Sequence, residues 1–357
     1  MMRVVRDTDP THYIRRALTA GLGIPLAAEA LVNSDTQGSL GLYSYEGKDR
    51  RGDKSKRFMC LTNKHVTSSD TTKVYDYGRP GAPQQFADNC GCHRFQQVVD
   101  EARALIATKL GDTWLFAEQL ADMATKPKSE DEEEAIANKE YKEWNDAYQR
   151  IIGYLDCAPK IAQDLDTRRY TRHLGVIALH HTKFKDGFQG SSVYLAGKYT
   201  RNEIELFVNP NSASQPYFKY PNDHLFRLSR FVDSKNMASS YILNENGNAG
   251  FIVAKDGQST DLTFGRFSEL EAYTCDNKKQ KHGSFSIKGD SSVAIFNAEG
   301  KLVAILHSSM PRGISNHVTF GNPGHYVVGL IKEHYSHANF DRLKFNCKLK
   351  ENSPDAP

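Results

Sequence analysis

The stretch Phe285–Ser309 constrains the fold of this chain more than any other part of the sequence. Two short apolar runs, Val293–Phe296 and Leu302–Leu306, are joined by the residues Asn297–Gly300. Short apolar runs joined by a few turn-forming residues, glycine among them, are typical of a β-hairpin. We therefore predict that this stretch forms a hairpin within a β-rich fold.

A turn of small residues, Gly289–Ser292, precedes the hairpin and presents the hydroxyl of Ser291. A serine hydroxyl alone is a weak nucleophile, so catalysis by Ser291 requires a base and hydrogen-bond donors for an oxyanion. Glycine adopts backbone conformations that other residues avoid. We expect Gly289 to let its own N–H group and that of Ser291 converge on one point.

Three further segments complete a pattern that is more specific than the turn alone. We predict that the segment Phe58–Val66 forms an apolar strand that ends in His65, and histidine is the side chain most often used as a general base. Gln37–Tyr43 is a glycine-containing strand upstream of it. Val253–Gly265 contains Lys-x-Gly followed by Thr-x-Gly.

The order of these motifs resembles that of chymotrypsin-like serine proteases, in particular the trypsin-like peptidase domains of fungal intracellular proteins. In that family the nucleophile loop is Gly-Asp-Ser-Gly, and the base follows a Leu-Thr-Ala-x-His-Val strand. The chain departs from the family at Ser292, where the family has glycine. The matching motifs bracket residues 37 to 335 and leave a long middle stretch unmatched. The resemblance implies two six-stranded β-barrels with the active site in the cleft between them.

The activity implied by the resemblance is that of a serine endopeptidase, which hydrolyses protein or peptide substrates without a cofactor or a metal ion. Ser291 is then expected to be the nucleophile and His65 the general base. The N–H groups of Gly289 and Ser291 are expected to form the oxyanion hole.

The substrate pocket is also assigned through the resemblance. In this fold the residue six positions before the nucleophile lines the floor of the primary pocket, and here that residue is Phe285. Ser308 and Ser309 are expected to form the edge of the pocket. Because no acidic residue stands at the floor, we expect no preference for arginine or lysine substrates.

The third member of the triad is less clear from the sequence. The family has an acid on a strand between the base and the nucleophile, and the matching segment here is Thr200–Phe207, which we predict to be a strand. Aligning the Thr-Arg pair selects Asn202, whereas aligning the apolar residues selects Glu203. We prefer Glu203, since a carboxylate both orients an imidazole and stabilises its cation. The other candidates are three aspartates, Asp164, Asp166 and Asp186. The remaining histidines near these motifs are expected to be structural or exposed: His173, His180, His181 and His307.

Composition limits the cellular setting. The formal net charge is +3 on 357 residues, which gives no electrostatic case for nucleic-acid binding. The N-terminus lacks the apolar core of a signal peptide, and no stretch approaches membrane-spanning length. We therefore expect an intracellular, cytoplasmic protein whose six cysteines are free thiols. The pattern Cys90-Gly-Cys92-His93 lacks a second close pair of ligands, so we predict no zinc site.

The middle of the chain has helical rather than β periodicity. Apolar residues recur at helical spacing from Phe95 to Ile106 and again from Ile136 to Leu155. The charged connector Lys126–Glu134 separates the two runs and is expected to solvate the start of the second helix. We predict two antiparallel helices inserted into a β protein, dispensable for folding of the β part.

The predicted architecture is therefore mostly β, a chymotrypsin-like double β-barrel with an inserted α-helical hairpin. The alternative function is a catalytically inactive module of the same fold that binds a protein partner through the insertion. The predicted divisions are an N-terminal helix and lead-in (residues 1–36), the first part of the first barrel (37–92), the helical insertion (93–170), the second part of the first barrel (171–221), the second barrel (222–335) and a C-terminal tail (336–357).

Overall fold

The computed structural model of the chain is mostly β. It describes residues 18–28, 37–49, 51–91, 94–101, 104, 144–163, 170–184, 188, 190–208, 218–238, 251–267, 285–312 and 316–340. The strands in chain order are β1 (Pro25–Ala28), β2 (Gly38–Ser39), β3 (Leu42–Lys48), β4 (Lys54–Thr62), β5 (Tyr75–Asp76), β6 (Phe86–Asn89), β7 (Ile151–Ala158), β8 (Ala162–Gln163), β9 (Thr171–Arg172), β10 (Gly175–Leu179), β11 (Ser192–Tyr194), β12 (Leu225–Arg227), β13 (Arg230–Phe231), β14 (Ile252–Gly257), β15 (Asp261–Arg266), β16 (Ala294–Asn297), β17 (Lys301–Arg312), β18 (Asn316–Pro323) and β19 (Ala338–Asn339).

The helices are short. They are α1 (Lys64–Thr67), α2 (Ala147–Arg150), α3 (Arg201–Val208), α4 (Ser234–Ala238) and α5 (Gly324–His334), and His181–Lys183 form a 3₁₀ turn. Residues 94–101 are also helical. None of the helices in the described ranges is long and apolar enough to cross a membrane.

Two main sheets organise the molecule. The first is a curled sheet in the order β19-β3-β4-β10-β7-β6-β1-β2, with β5 paired to β7. The second has the order β13-β17-β16-β14-β15, with β18 paired to β17. The pairs β8-β9 and β11-β12 form two small sheets.

The hairpin predicted from the apolar runs is confirmed as β16 and β17. These strands are antiparallel, with Ala294 opposite Ile305 and Ile295 opposite Ala304. Val293 and Val303 are almost completely buried. Burial of side chains of this size stabilises a fold by about 1.5–3 kcal/mol each, which explains why this run of β-branched residues forms the centre of the second sheet.

The second predicted helix is wrong over its last part, because Ile151–Ala158 is strand β7. This strand lies between β10 and β6, and Ile152 and Leu155 are buried in the core of the first sheet. Burial on one face of a sheet therefore outweighed the helical spacing. The predicted boundary of the insertion at residue 170 is wrong because β7, which belongs to the first sheet, lies before it. Residues 105–143 of the predicted insertion lie outside the described part of the chain.

The remaining part of the predicted insertion that is described is also tied to the core. Phe95, Val98, Val99 and Trp144 pack into the same apolar cluster as the first sheet. At the C-terminal end, β19 pairs with β3, so residues 338–339 belong to the first sheet rather than to a tail. Most of the predicted N-terminal helix, and the tail from residue 341, lie outside the described residues.

The strand expected at Thr200–Phe207 is also wrong, because Arg201–Val208 is helix α3. Thr200 and Glu203 form a reciprocal cap: the Thr200 N–H donates to Glu203 Oε2 at 2.7 Å, and the Glu203 N–H donates to Thr200 Oγ1 at 3.3 Å. This pairing at a spacing of three residues satisfies two N–H groups at the start of a helix. Ile204 is buried on the inner face of α3.

Candidate catalytic site

The loop that carries Ser291 follows the second sheet's β15 and leads into β16. Gly289 has φ +104°, in the left-handed region that favours glycine. A Cβ atom placed on Gly289 would lie 2.2 Å from Ser259 Oγ, so no larger residue fits without a shift. Both constraints support the sequence-based prediction that a glycine shapes this turn.

A buried ion pair supports the loop from below. Lys255 Nζ lies 3.1 Å from Asp290 Oδ2, and both side chains are completely buried. The Asp290 carboxylate also accepts hydrogen bonds from the Ser259 N–H (3.0 Å), the Thr260 hydroxyl (2.7 Å) and the Ile287 N–H (3.2 Å). Burial lowers the pKa of Lys255, and the charge of Asp290 opposes that shift. Because its carboxylate is bonded on both oxygens, Asp290 fixes the backbone next to Ser291.

Two backbone N–H groups of this loop have no hydrogen-bond partner within the described part of the chain, those of Gly289 and Ser291. The carbonyl of Lys288 accepts a hydrogen bond from Ser259 Oγ at 2.9 Å. In a trans peptide the C=O and N–H point in opposite directions, so the Gly289 N–H is directed away from Ser259. Among the described residues, neither the Gly289 N–H nor the Ser291 N–H donates a hydrogen bond to another protein group. Paired unbonded donors beside a hydroxyl are the arrangement that an oxyanion requires.

The prediction that a strand ends at His65 is wrong, because β4 ends at Thr62 and His65 lies on the short helix α1, which begins after Asn63. The Nδ1 atom of His65 is 2.7 Å from Nε2 of His173, a residue just before β10. The two histidines meet because β10 pairs with β4, with Gly175 opposite Thr62. The partner of His65 is therefore a histidine, and within the described residues no carboxylate is hydrogen-bonded to either ring.

The hydrogen bonds of His173 determine where the protons lie. The Lys64 N–H donates to His173 Nδ1 at 3.2 Å, and a backbone N–H can only donate. Neutral His173 therefore carries its proton on Nε2 and donates it to Nδ1 of His65. Neutral His65 then carries its own proton on Nε2, whereas a base that serves Ser291 through Nε2 needs that nitrogen unprotonated.

A third histidine contributes to the electrostatics of this cluster. Burial, followed by the nearby His307, lowers the pKa of His65 to about 4. Burial, followed by His65 and His307, lowers the pKa of His173 to about 3. The rings of His173 and His307 are 5.5 Å apart, and burial also lowers the pKa of His307. All three rings are consequently neutral at pH 7.

The histidine turn and the serine loop are joined directly. The Asn63 N–H donates to Ser292 Oγ at 2.7 Å, and Asn63 Nδ2 donates to the Leu306 carbonyl at 2.8 Å. Ser39 adds two contacts, from its N–H to the Ser291 carbonyl (2.8 Å) and from its hydroxyl to the Gly289 carbonyl (3.0 Å). Within the described residues, no hydrogen bond joins the Ser291 hydroxyl to His65.

Two of the residues proposed for the triad acid lie on helix α3, and the other three are outside the described residues. The Glu203 carboxylate is exposed and bonded to Thr200, which lowers its pKa. Asn202 is exposed on the same helix. The prediction for Glu203 rested on a strand that is a helix, so it loses its basis. The three alternative aspartates are not among the described residues: Asp164, Asp166 and Asp186.

The residues assigned to the substrate pocket lie in two parts of the second sheet's surroundings: Phe285 precedes the serine loop, and Ser308 and Ser309 are on β17. The Phe285 ring packs close to Gly265 and lies 5.7 Å from Lys255 Nζ. Ser308 and Ser309 are half-buried on β17, and Ser308 Oγ is 2.7 Å from His307 Nδ1. Phe285 is thus part of the packing that surrounds the Lys255 ion pair.

The expectation that the cysteines are free thiols is confirmed for three of the six. Cys60, Cys90 and Cys157 are buried free thiols, as predicted. Burial raises the pKa of Cys60, which keeps it protonated and unreactive. Cys92 and His93 lie outside the described residues.

Three site residues escaped the sequence analysis: His173, Lys255 and Ser292. His173 was assigned a structural role, Lys255 was noted only as part of a motif, and Ser292 only as a departure from glycine. A titratable side chain at the first residues of an apolar strand, as at His173, is the signal that could have indicated a partner for His65.

Comparison with known proteins adds no family assignment. No protein-family model matches the chain, and no curated protein matches its sequence. Any function must therefore be supported by the residues and geometry of the site.

Proposed function

We propose that the chain is an intracellular serine endopeptidase with a chymotrypsin-like double β-barrel, in which Ser291 is the nucleophile and His65 the general base. The observation that carries the proposal is the pair of unbonded N–H groups, on Gly289 and Ser291, beside the Ser291 hydroxyl. The buried contact between Lys255 and Asp290 holds that loop in place.

The proposed reaction is acyl transfer. Ser291 Oγ attacks the scissile carbonyl carbon while His65 Nε2 removes its proton, and the two N–H groups stabilise the tetrahedral oxyanion. The imidazolium returns the proton to the leaving amine, the C–N bond breaks, and water then hydrolyses the acyl-enzyme by the same route.

His173 takes the place of the acid in this proposal. To act as a base, His65 must move its proton from Nε2 to Nδ1, and His173 must then accept at Nε2. This change brings a proton to His173 Nδ1 opposite the buried Lys64 N–H and leaves that N–H without an acceptor, which typically costs about 1–3 kcal/mol. A neutral histidine also stabilises an imidazolium less than a carboxylate does. We therefore expect a slower catalyst than one with an acid at this position.

The expected substrate is a protein or peptide without arginine or lysine before the cleaved bond. The ammonium of Lys255 lies near Phe285 and its charge is already matched by Asp290. A second buried cation there would have no partner and would be costly. A peptide library should accordingly show no enrichment of basic residues at that position.

The test is labelling of the purified protein with a fluorophosphonate probe. Wild type and the matched control Ser69→Ala, which removes an exposed hydroxyl near α1, should both be labelled. Ser291→Ala should not be labelled, and mass spectrometry should find the label on Ser291. Equal labelling of Ser291→Ala would refute the proposal.

A second candidate is a catalytically inactive module of the same fold that binds a protein partner through residues 93–170. The missing hydrogen bond between the Ser291 hydroxyl and His65, together with the proton on His65 Nε2, favours it. Folded wild-type protein that resists the probe at every pH, and still resists it when His173 is replaced by glutamate, would support this candidate.

A further inference from the structure

Ser292 adopts a backbone conformation that glycine would adopt more readily. Its φ angle is +80°, in the left-handed region, and the residue is completely buried. A residue with a Cβ atom is strained in this conformation. A serine at this position therefore needs interactions that offset the strain.

The Ser292 hydroxyl belongs to a short chain of hydrogen bonds. The Asn63 N–H donates to Ser292 Oγ at 2.7 Å. Ser292 Oγ lies 2.9 Å from Thr62 Oγ1, and the Thr62 hydroxyl donates to the Ser39 carbonyl at 3.4 Å. With Thr62 donating to Ser39, Ser292 donates to Thr62, so every hydroxyl in the chain both accepts and donates.

The last residue in this chain of hydrogen bonds, Ser39, also bonds back to the serine loop. The N–H of Ser39 donates to the Ser291 carbonyl at 2.8 Å, next to Ser292 itself. The closed arrangement connects β2 and β4 of the first sheet to the serine loop of the second sheet. Asn63 and Ser292 are 229 positions apart, and each is within two residues of a proposed catalytic side chain.

We infer that Ser292 is a positioning residue, whose hydroxyl sets the placement of the turn carrying His65 against the loop carrying Ser291. The inference rests on the proposed function, which assigns the roles of His65 and Ser291. The departure from glycine that the sequence contains is then a feature that, together with the contacts of Ser39 and Asn63, joins the two halves of the site.

Two variants separate positioning from simple stability. Ser292→Ala keeps the strained Cβ atom and loses the hydroxyl, whereas Ser292→Gly loses the hydroxyl and relieves the strain. The fluorophosphonate labelling rate should fall about tenfold in both, which corresponds to about 1.4 kcal/mol and lies within the range for the loss of one hydrogen bond. The melting temperature of the glycine variant should exceed that of the alanine variant. If the labelling rate instead follows the melting temperature, with glycine near wild type, the inference is overturned.

The matched control is Ser192→Ala. Ser192 is also buried, but its hydroxyl has no hydrogen-bond partner among the described residues. Removal of this hydroxyl should leave the labelling rate unchanged. A loss equal to that of the Ser292 variants would mean that any buried hydroxyl has this effect, which overturns the inference.

An NMR titration of His65 gives a readout that needs no activity. In wild type His65 should titrate at about pH 4, and in Ser292→Gly its pKa should rise toward 6.5 because the released turn exposes the ring. An unchanged pKa overturns the inference even if labelling falls. A wild-type protein that resists the probe while this pKa moves would remove the proposed function and support the positioning role.

Discussion

The two sides of the site are supported by buried pairs of different character. On the serine side, Lys255 and Asp290 are oppositely charged and completely buried, and the carboxylate accepts three more hydrogen bonds. On the histidine side, His65 and His173 share one hydrogen bond, and burial keeps both rings neutral. The serine side is therefore stabilised by an ion pair, whereas the histidine side depends on a hydrogen bond between two neutral rings, whose direction is set by which nitrogen carries the proton.

This difference has a physical consequence for each side. A buried ion pair is costly to desolvate, but removal of one partner leaves an isolated charge and costs far more. Such a pair makes a loop rigid. Two neutral histidines have no such charge penalty. Their change of tautomer deprives the Lys64 N–H of its acceptor at a cost of about 1–3 kcal/mol, which is less than the cost of breaking a buried ion pair, so the histidine side is the more adjustable one. Under the proposed function, we therefore expect a rigid oxyanion hole next to a base whose orientation is only weakly fixed.

The largest effect is expected when the charged pair is broken. Lys255→Met should lower the free energy of unfolding by about 3–5 kcal/mol, because Asp290 is left as an unpaired buried charge. Chemical denaturation would measure the loss. The double variant Lys255→Met/Asp290→Asn should recover most of it, since both charges are then gone. A single variant as stable as wild type would show that the pair contributes little to the loop.

Acid should weaken the histidine side next. The pKa values of His65 and His173 are lowered from 6.5 to about 4 and about 3. The unfolded chain therefore binds more protons below pH 6.5, and stability present above that pH is lost as the pH falls toward 4. A decrease of one unit in the pKa of one group in the folded state corresponds to about 1.4 kcal/mol of stability. Unfolding measured from pH 7 to pH 4 should show this loss, and His173→Gln should reduce its slope. An equal slope in the variant would contradict the burial of a neutral His173.

An acid in place of His173 should strengthen the base. Glutamate reaches about as far as histidine, and a carboxylate accepts from His65 Nδ1, which leaves Nε2 free to accept a proton. The labelling rate of His173→Glu should rise about tenfold or more, given that loss of the acid in such triads costs about 10⁴-fold. The neutral His173→Gln is the control. No gain with glutamate in a folded variant would argue that His65 is not the base.

The smallest effect is expected for a deletion that removes neither the Lys255–Asp290 pair nor the His65–His173 pair. The sequence motifs that carry the proposed site all lie outside residues 105–143. Replacement of those residues by a short Gly-Ser linker should change the unfolding free energy by less than about 1 kcal/mol, within the range of neutral changes, and should leave labelling intact.

A longer deletion provides the contrast. Removal of Phe95–Leu155 should abolish cooperative folding, because it removes most of β7, the strand whose Ala158 carbonyl accepts from Lys64 Nζ at 3.3 Å. A longer deletion that melts cooperatively would show that β7 is dispensable and would restore the original boundary of the insertion.

Local patterns in the sequence determined several elements of this protein. The apolar runs on either side of Asn297–Gly300 form the predicted hairpin, and a strand precedes His65 as predicted, although it ends at Thr62. Val253–Gly265 forms the paired strands β14 and β15 around the turn that contacts Asp290. Alternation of side chains and turn residues are properties of neighbouring positions, so they can be recognised without the rest of the chain.

Only the tertiary structure decided which side chains meet at the site. His173 rather than Glu203 contacts His65, because Gly175 pairs with Thr62 and a shift of one residue would turn every side chain to the other face. The apolar residues around Ile152 have helical spacing, but they form strand β7 because this segment is buried between β10 and β6. The left-handed Ser292 is tolerated because partners 229 positions away bond its hydroxyl. Contacts of this kind depend on strand register and burial across long sequence separations, and no local pattern encodes them.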